Sequence, residues 1–86
     1  MKKISFQENK NIIYRHLKLA RVQKGLSQSQ LAARMQLMGV NMDQQMISKI
    51  ENNHRIVTDY ELACFCIILK QDVTNLLEDF YKHHVE

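Results

Sequence analysis

Apolar residues recur along this chain at three- and four-residue spacing, and most of the runs open on a polar capping residue. That period is helical, so the pattern predicts five helices and an all-α fold. The first helix spans Asn9 to Lys24, with Ile13, Leu17, Ala20 and Arg21 on one face and Gly25 placed for a left-handed cap. The second opens at Ser27, where Gln30 completes a capping box and Leu26 and Leu31 stand at staple spacing. It runs to about Met38, where Gly39 stops it and Val40 can fold back on Met35. The third begins at the N-cap Asp43, with Met42 and Ile47 as a second staple. Its buried stripe is Met46 or Ile47 together with Ile50, and Asn53 tolerates the left-handed end. The fourth starts at Thr58 with Glu61 as a capping box and Val57 and Leu62 as staple. The fifth starts at Asp72, carries Leu76, Leu77 and Phe80, and ends near Lys82.

The second and third helices, with the turn between them, form a helix-turn-helix over about residues 27–52 inside a single domain at 9–82. Residues 1–8 are either an arm or an extra turn carrying Ile4 and Phe6 onto the core, and 83–86 are a tail. A length of 86 residues leaves no room for a second core. With no proline and two glycines the chain has few breaks. Its longest apolar stretch, Leu62 to Leu69, is far short of the ~20 residues a spanning helix needs. Lys2 and Lys3 are not followed by an apolar block, so no signal peptide is expected and the location predicted is cytoplasmic.

The net charge of +3 hides an asymmetry: eight Lys/Arg and one acidic residue precede Leu37, whereas four Lys/Arg and eight acidic residues follow from there. A basic half and an acidic half suit a phosphate-facing side with a neutral or acidic back. The start of the third helix, Asp43-Gln44-Gln45, supplies the matching chemistry. A glutamine amide carries a donor and an acceptor together and can bond an adenine edge in two places. Asp43 is explained by capping alone, and Lys49 points outward if Ile50 points in.

No catalytic set is visible. Ser27, Ser29 and Ser48 lack a paired histidine and acid, the four histidines are scattered, and there is no glycine-rich phosphate loop, so neither an enzyme nor a cofactor is expected. Cys64 and Cys66 fall on different faces of a helix and are read as reduced core thiols; His83-His84 has no ligand-rich surroundings, and no metal site is expected. The fourth helix carries more apolar surface than one core face uses. Cys64, Ile67 and Ile68, with Phe80 and Tyr81 from the fifth, are therefore candidates for a self-association or partner seam.

Three segments, RVQKGLSQSQLA (21–32), DQQMISKIENNHR (43–55) and TDYELACFCIILKQDVTNLL (58–77), together resemble the phage-repressor-like (Xre/Cro) helix-turn-helix regulators. The resemblance covers roughly residues 13 to 77 and implies a five-helix, lambda-repressor-like bundle whose third helix enters the major groove. It further implies base contacts from Gln44, Gln45 and Lys49, and phosphate contacts from Ser27, Gln28, Asn53, His54 and Arg55. Arg21 and Glu51 match a buried ion pair tying helix one to helix three. About five residues more than the family pattern lie between Leu31 and Ile47; an extra turn at Gln36 to Met38 and a longer turn at Gly39 to Met42 absorb them. Val57 stands in place of a common proline, and Lys70-Gln71 in place of Gly-Val. The implied function is a regulator of the repressor kind, a homodimer on a double-stranded pseudo-palindromic operator. The alternative is an antitoxin that holds a toxin through the outer face of helix four and the tail.

Overall fold

Three helices begin where a side chain takes over a backbone donor that the helix leaves without a partner. Ser27 Oγ accepts from Gln30 N at 3.0 Å, while Gln30 Oε1 accepts from Ser27 N at 2.8 Å. Thr58 and Glu61 repeat the reciprocal box at 3.3 and 3.0 Å, and Asp43 Oδ1 accepts from Met46 N at 2.8 Å. Ser27→Ala is expected to destabilise the protein by ~1 kcal/mol, read as a lower urea midpoint at unchanged slope.

The computed structural model describes residues 6–84. Its helices are α1 (Tyr14–Gln23), α2 (Gln28–Leu37), α3 (Gln44–Glu51), α4 (Asp59–Leu69), α5 (Val73–Leu76) and α6 (Glu78–His84). Over the described residues the fold is all-α, as the periodicity predicted. The expected arm at residues 1–8, Ile4 included, lies outside the described residues over 1–5, as does the end of the tail at 85–86.

Helix ends follow local backbone chemistry. Gly39 adopts φ +86°, and Val40 N then reaches back to Met35 O at 3.0 Å, closing α2. Asn53 (φ 63°) closes α3 in the same way, through His54 N to Lys49 O at 2.8 Å. Lys70, standing in the left-handed region at φ 54°, ends α4.

Two boundaries differ from expectation. α1 starts at Tyr14 and not at Asn9, because Asn11 holds the chain in another shape. Its Oδ1 accepts from Ile13 N at 3.0 Å, and its Nδ2 donates to Ile50 O (2.9 Å) and Arg55 O (3.0 Å). An asparagine side chain that bonds nearby backbone competes with the helix it would otherwise open. Ahead of it, Phe6 and Asn9 exchange both backbone hydrogen bonds around Gln7 and Glu8, which stand at positive φ. The fifth helix, in turn, is two: Leu77 interrupts it, giving six helices among the described residues. Leu76 on one side of the break is buried in the core, while Glu78 and Asp79 on the other reach back to α1.

Leu17 from α1, Leu31 and Met35 from α2, Ile47 and Ile50 from α3, Phe65 from α4 and Leu76 from α5 are fully buried together. α3 packs chiefly on α2 and next on α1. The lengthened α2–α3 connection is pinned by burying Val40 and Met42 and by Gln36 Nε2 donating to Met42 O at 2.7 Å. It is therefore part of the core and holds α3 in place. α4 buries Phe65 and Leu69, with Leu62, Cys64, Cys66 and Ile68 half-buried beside them, and it turns Glu61 inward as well. A helix apolar all round has no stripe to read.

Candidate nucleic-acid interface

α3 has eight residues and two sharply different sides. Ile47, Ile50 and Glu51 face the core; Gln44, Gln45, Lys49 and Asn52 are exposed and Ser48 is half-buried among them. Positions 44, 48 and 52, with 45 and 49 alongside, form one continuous polar edge, since residues four apart share a helix face. Ser48, which sequence reasoning had not assigned to this edge, was legible from that spacing alone. Its Oγ accepts from Asn52 Nδ2 at 3.4 Å.

Behind this edge lies a chain of hydrogen bonds that runs into the core. Arg21 donates to Glu51 through Nε (2.6 Å) and Nη2 (3.0 Å), and its Nη1 reaches Leu26 O at 2.8 Å. Glu51 Oε1 also accepts from Gln28 Nε2 at 3.0 Å, and Gln28 Oε1 accepts from Gln44 Nε2 at 2.7 Å. The bonding decides which way each amide faces. Gln44 keeps one N–H and its Oε1 for an outside partner, and that donor–acceptor pair matches adenine N7 and N6. The link between Gln28 and Gln44 had no signal in the sequence, because it spans the turn.

The residues assigned to phosphate fall into two groups. Ser27 and His54 are exposed, and Gln28 is half-buried at the start of α2. Asn53 and Arg55 are engaged elsewhere. Asn53 Oδ1 accepts from Lys10 N (2.9 Å) and Asn11 N (3.3 Å), and its Nδ2 donates to Asn9 Oδ1 at 2.7 Å, so it straps the N-terminal segment to the end of α3. Arg55 forms a two-pronged ion pair with Glu61 at 2.9 and 3.0 Å. Burial pushes the Glu61 carboxyl up, but bonds from Arg55 and from Thr58 N outweigh it and leave its pKa below the usual glutamate range. The same bond raises Arg55 further.

Of the residues suggested for a protein seam, Ile67 and Tyr81 are exposed, at 64% and 42%. Cys64 and Ile68 are half-buried against the core, and the Phe80 ring stands 5.8 Å from Phe6 and 5.7 Å from Tyr81. Among the described residues no helix is long and apolar enough to cross a membrane.

A helix-turn-helix family model matches residues 17–63, more than half of the chain. No curated protein matches it. The matched span runs from the second half of α1, through the whole of α2 and α3, to the start of α4, and so takes in both the outward polar edge and the ion pair beneath it. The chain belongs to the Xre/Cro-like helix-turn-helix family, a family of DNA-binding regulatory domains.

Proposed function

We propose that this protein is a sequence-specific transcriptional repressor of the cytoplasm, binding a pseudo-palindromic operator as a homodimer with one α3 in each major groove. The reading is carried by the outward edge of α3, whose leading glutamine is oriented by Gln28 and Glu51. Gln44, Gln45 and Lys49 read bases. Ser27, Gln28 and His54 hold the phosphates on either side, and Asn53 and Arg55 shape the loop that presents His54. Two such helices in a dimer lie about 34 Å apart, one turn of duplex. Repression is then steric: an occupied operator excludes polymerase.

The test is binding to DNA from upstream of the gene at two salt concentrations. Gln44→Ala/Gln45→Ala is expected to lose about 1–3 kcal/mol of discrimination per bidentate pair, while binding to unrelated DNA and its salt slope stay unchanged. A double variant as tight and as selective as the parent sinks the base-reading assignment. The exposure of Ile67 and Tyr81 supports the homodimer first and an antitoxin's grip on a toxin second. A chain that sediments as a monomer until a neighbouring gene product joins it would favour the second.

A further inference from the structure

α1 and α6 meet at a cluster that the DNA-binding surface does not use. His16 Nε2 lies 3.1 Å from Asp79 Oδ1 and 3.7 Å from Glu78 Oε1. The three ligand-capable atoms all fall within 4.8 Å of one another. We infer that His16, Glu78 and Asp79 are a binding site for one divalent transition-metal ion of the zinc class, which fastens α6 to α1.

The spacing supports this. An ion held at about 2.0–2.2 Å by tetrahedral ligands sets those ligands roughly 3.3–3.5 Å apart. The two separations from His16 bracket that value, and the Glu78 and Asp79 oxygens lie within 4.8 Å of each other, so an ion would draw the carboxylates inward by up to about an ångström. The donor set points the same way: an imidazole nitrogen with carboxylate oxygens suits zinc and its neighbours, whereas calcium and magnesium take oxygen alone. His16 is well placed as the anchor, with its side chain only 15% exposed.

Asp79 is also held from outside. Arg15 Nη2 donates to its two oxygens at 2.7 and 2.9 Å, the proposed ligand atom Oδ1 among them. The same nitrogen lies 3.4 Å from His16 Nε2, where it competes with a cation for the space between the ligands. Arg15 is 57% exposed and can retreat to Oδ2 or to water. A cavity of about 150 Å³ opens beside His16 and Glu78, its wall part polar (Gln23, Gln71, Asn75) and part apolar (Leu19, Leu76), and has room for waters that complete the coordination. An exposed ion pair such as Arg15 with Asp79 holds a helix weakly, whereas a shared ion ties both helices by coordinate bonds.

Calorimetric titration of the full chain with zinc at neutral pH tests this, in a Cys64→Ser/Cys66→Ser background that removes thiolate competition. One equivalent should bind and raise the thermal midpoint. His16→Asn and Glu78→Gln should each weaken binding at least tenfold and abolish the midpoint rise. Glu78 is exposed, so its variant keeps the fold, checked by circular dichroism without metal. Arg15→Gln should bind more tightly, having lost the competing charge, and His83→Gln/His84→Gln should bind as the parent does. Equal affinity in the parent and in Glu78→Gln, or no saturable binding up to millimolar zinc, overturns the site. Neither result bears on operator binding, which is measured separately.

Discussion

Glu51→Ala is expected to lower the unfolding free energy by about 3–5 kcal/mol, because it strands a buried guanidinium. The Glu51 side chain is 2% exposed and that of Arg21 11%. Without the carboxylate, the hydrogen bond of Arg21 to Leu26 O remains, and Gln28 loses its acceptor. Replacing both members by apolar residues, Arg21→Met with Glu51→Leu, should cost far less than the single change, since no ion is then left dry. Urea unfolding of the parent, Arg21→Met, Glu51→Leu and the double variant measures the coupling directly. A single Glu51→Ala loss below about 1 kcal/mol would show that the pair does not hold α1 to α3. The same variant reaches the DNA surface. With Glu51 gone, Gln28 loses the partner that turns its Oε1 to Gln44, and under the base contacts proposed above selectivity for adenine should loosen wherever the variant still folds.

Glu61→Ala should give the next largest loss, for a related reason at the other end of the site. Glu61 accepts two bonds from Arg55 and one from Thr58 N, so its loss strands Arg55 and opens the cap of α4 together. Arg55 stays 24% exposed and keeps Ile56 O, so the expected cost is about 1.5–3 kcal/mol for the broken pair with ~1 kcal/mol more for the cap. This residue also carries a pH signature. Its folded pKa is depressed, so its contribution is whole above the unfolded glutamate value and is lost as pH falls through the lower folded value. Asp79 has the same sign, held down first by Arg15 and then by His16. Stability measured from about pH 7 to 3 should therefore decline on its acid side, and Glu61→Gln should flatten that decline while lowering the plateau. An acid limb identical in the two proteins would show that the Arg55 bond does not hold Glu61 ionised.

What could be read directly from the residues was local. Capping boxes at Ser27 and Thr58, the N-cap Asp43, the left-handed stops at Gly39 and Asn53, and the outward place of Gln44 and Gln45 depend on partners within a few positions. Periodicity and cap chemistry therefore suffice to find them. The Arg21–Glu51 pair was reachable through the family resemblance, since nothing between positions 21 and 51 announces it. The outward polar edge of α3 was legible because a short helix with a clean apolar side has only one other side to offer.

The sequence alone determined the helical class, most of the helix starts and stops, and which residues lead the polar edge of α3. Tertiary structure alone decided that Asn11 delays α1, that Leu77 divides the last helix, and that Glu61 lies inward on α4. It also decided that Asn53 and Arg55 brace the loop, and that Gln28 turns to Gln44. Each of these depends on what folding brings alongside: Asn11 bonds chain some forty positions away, and Glu61 enters the core because Arg55 comes with it. A buried charge or amide takes the orientation its partners permit, and no count along the chain supplies those partners.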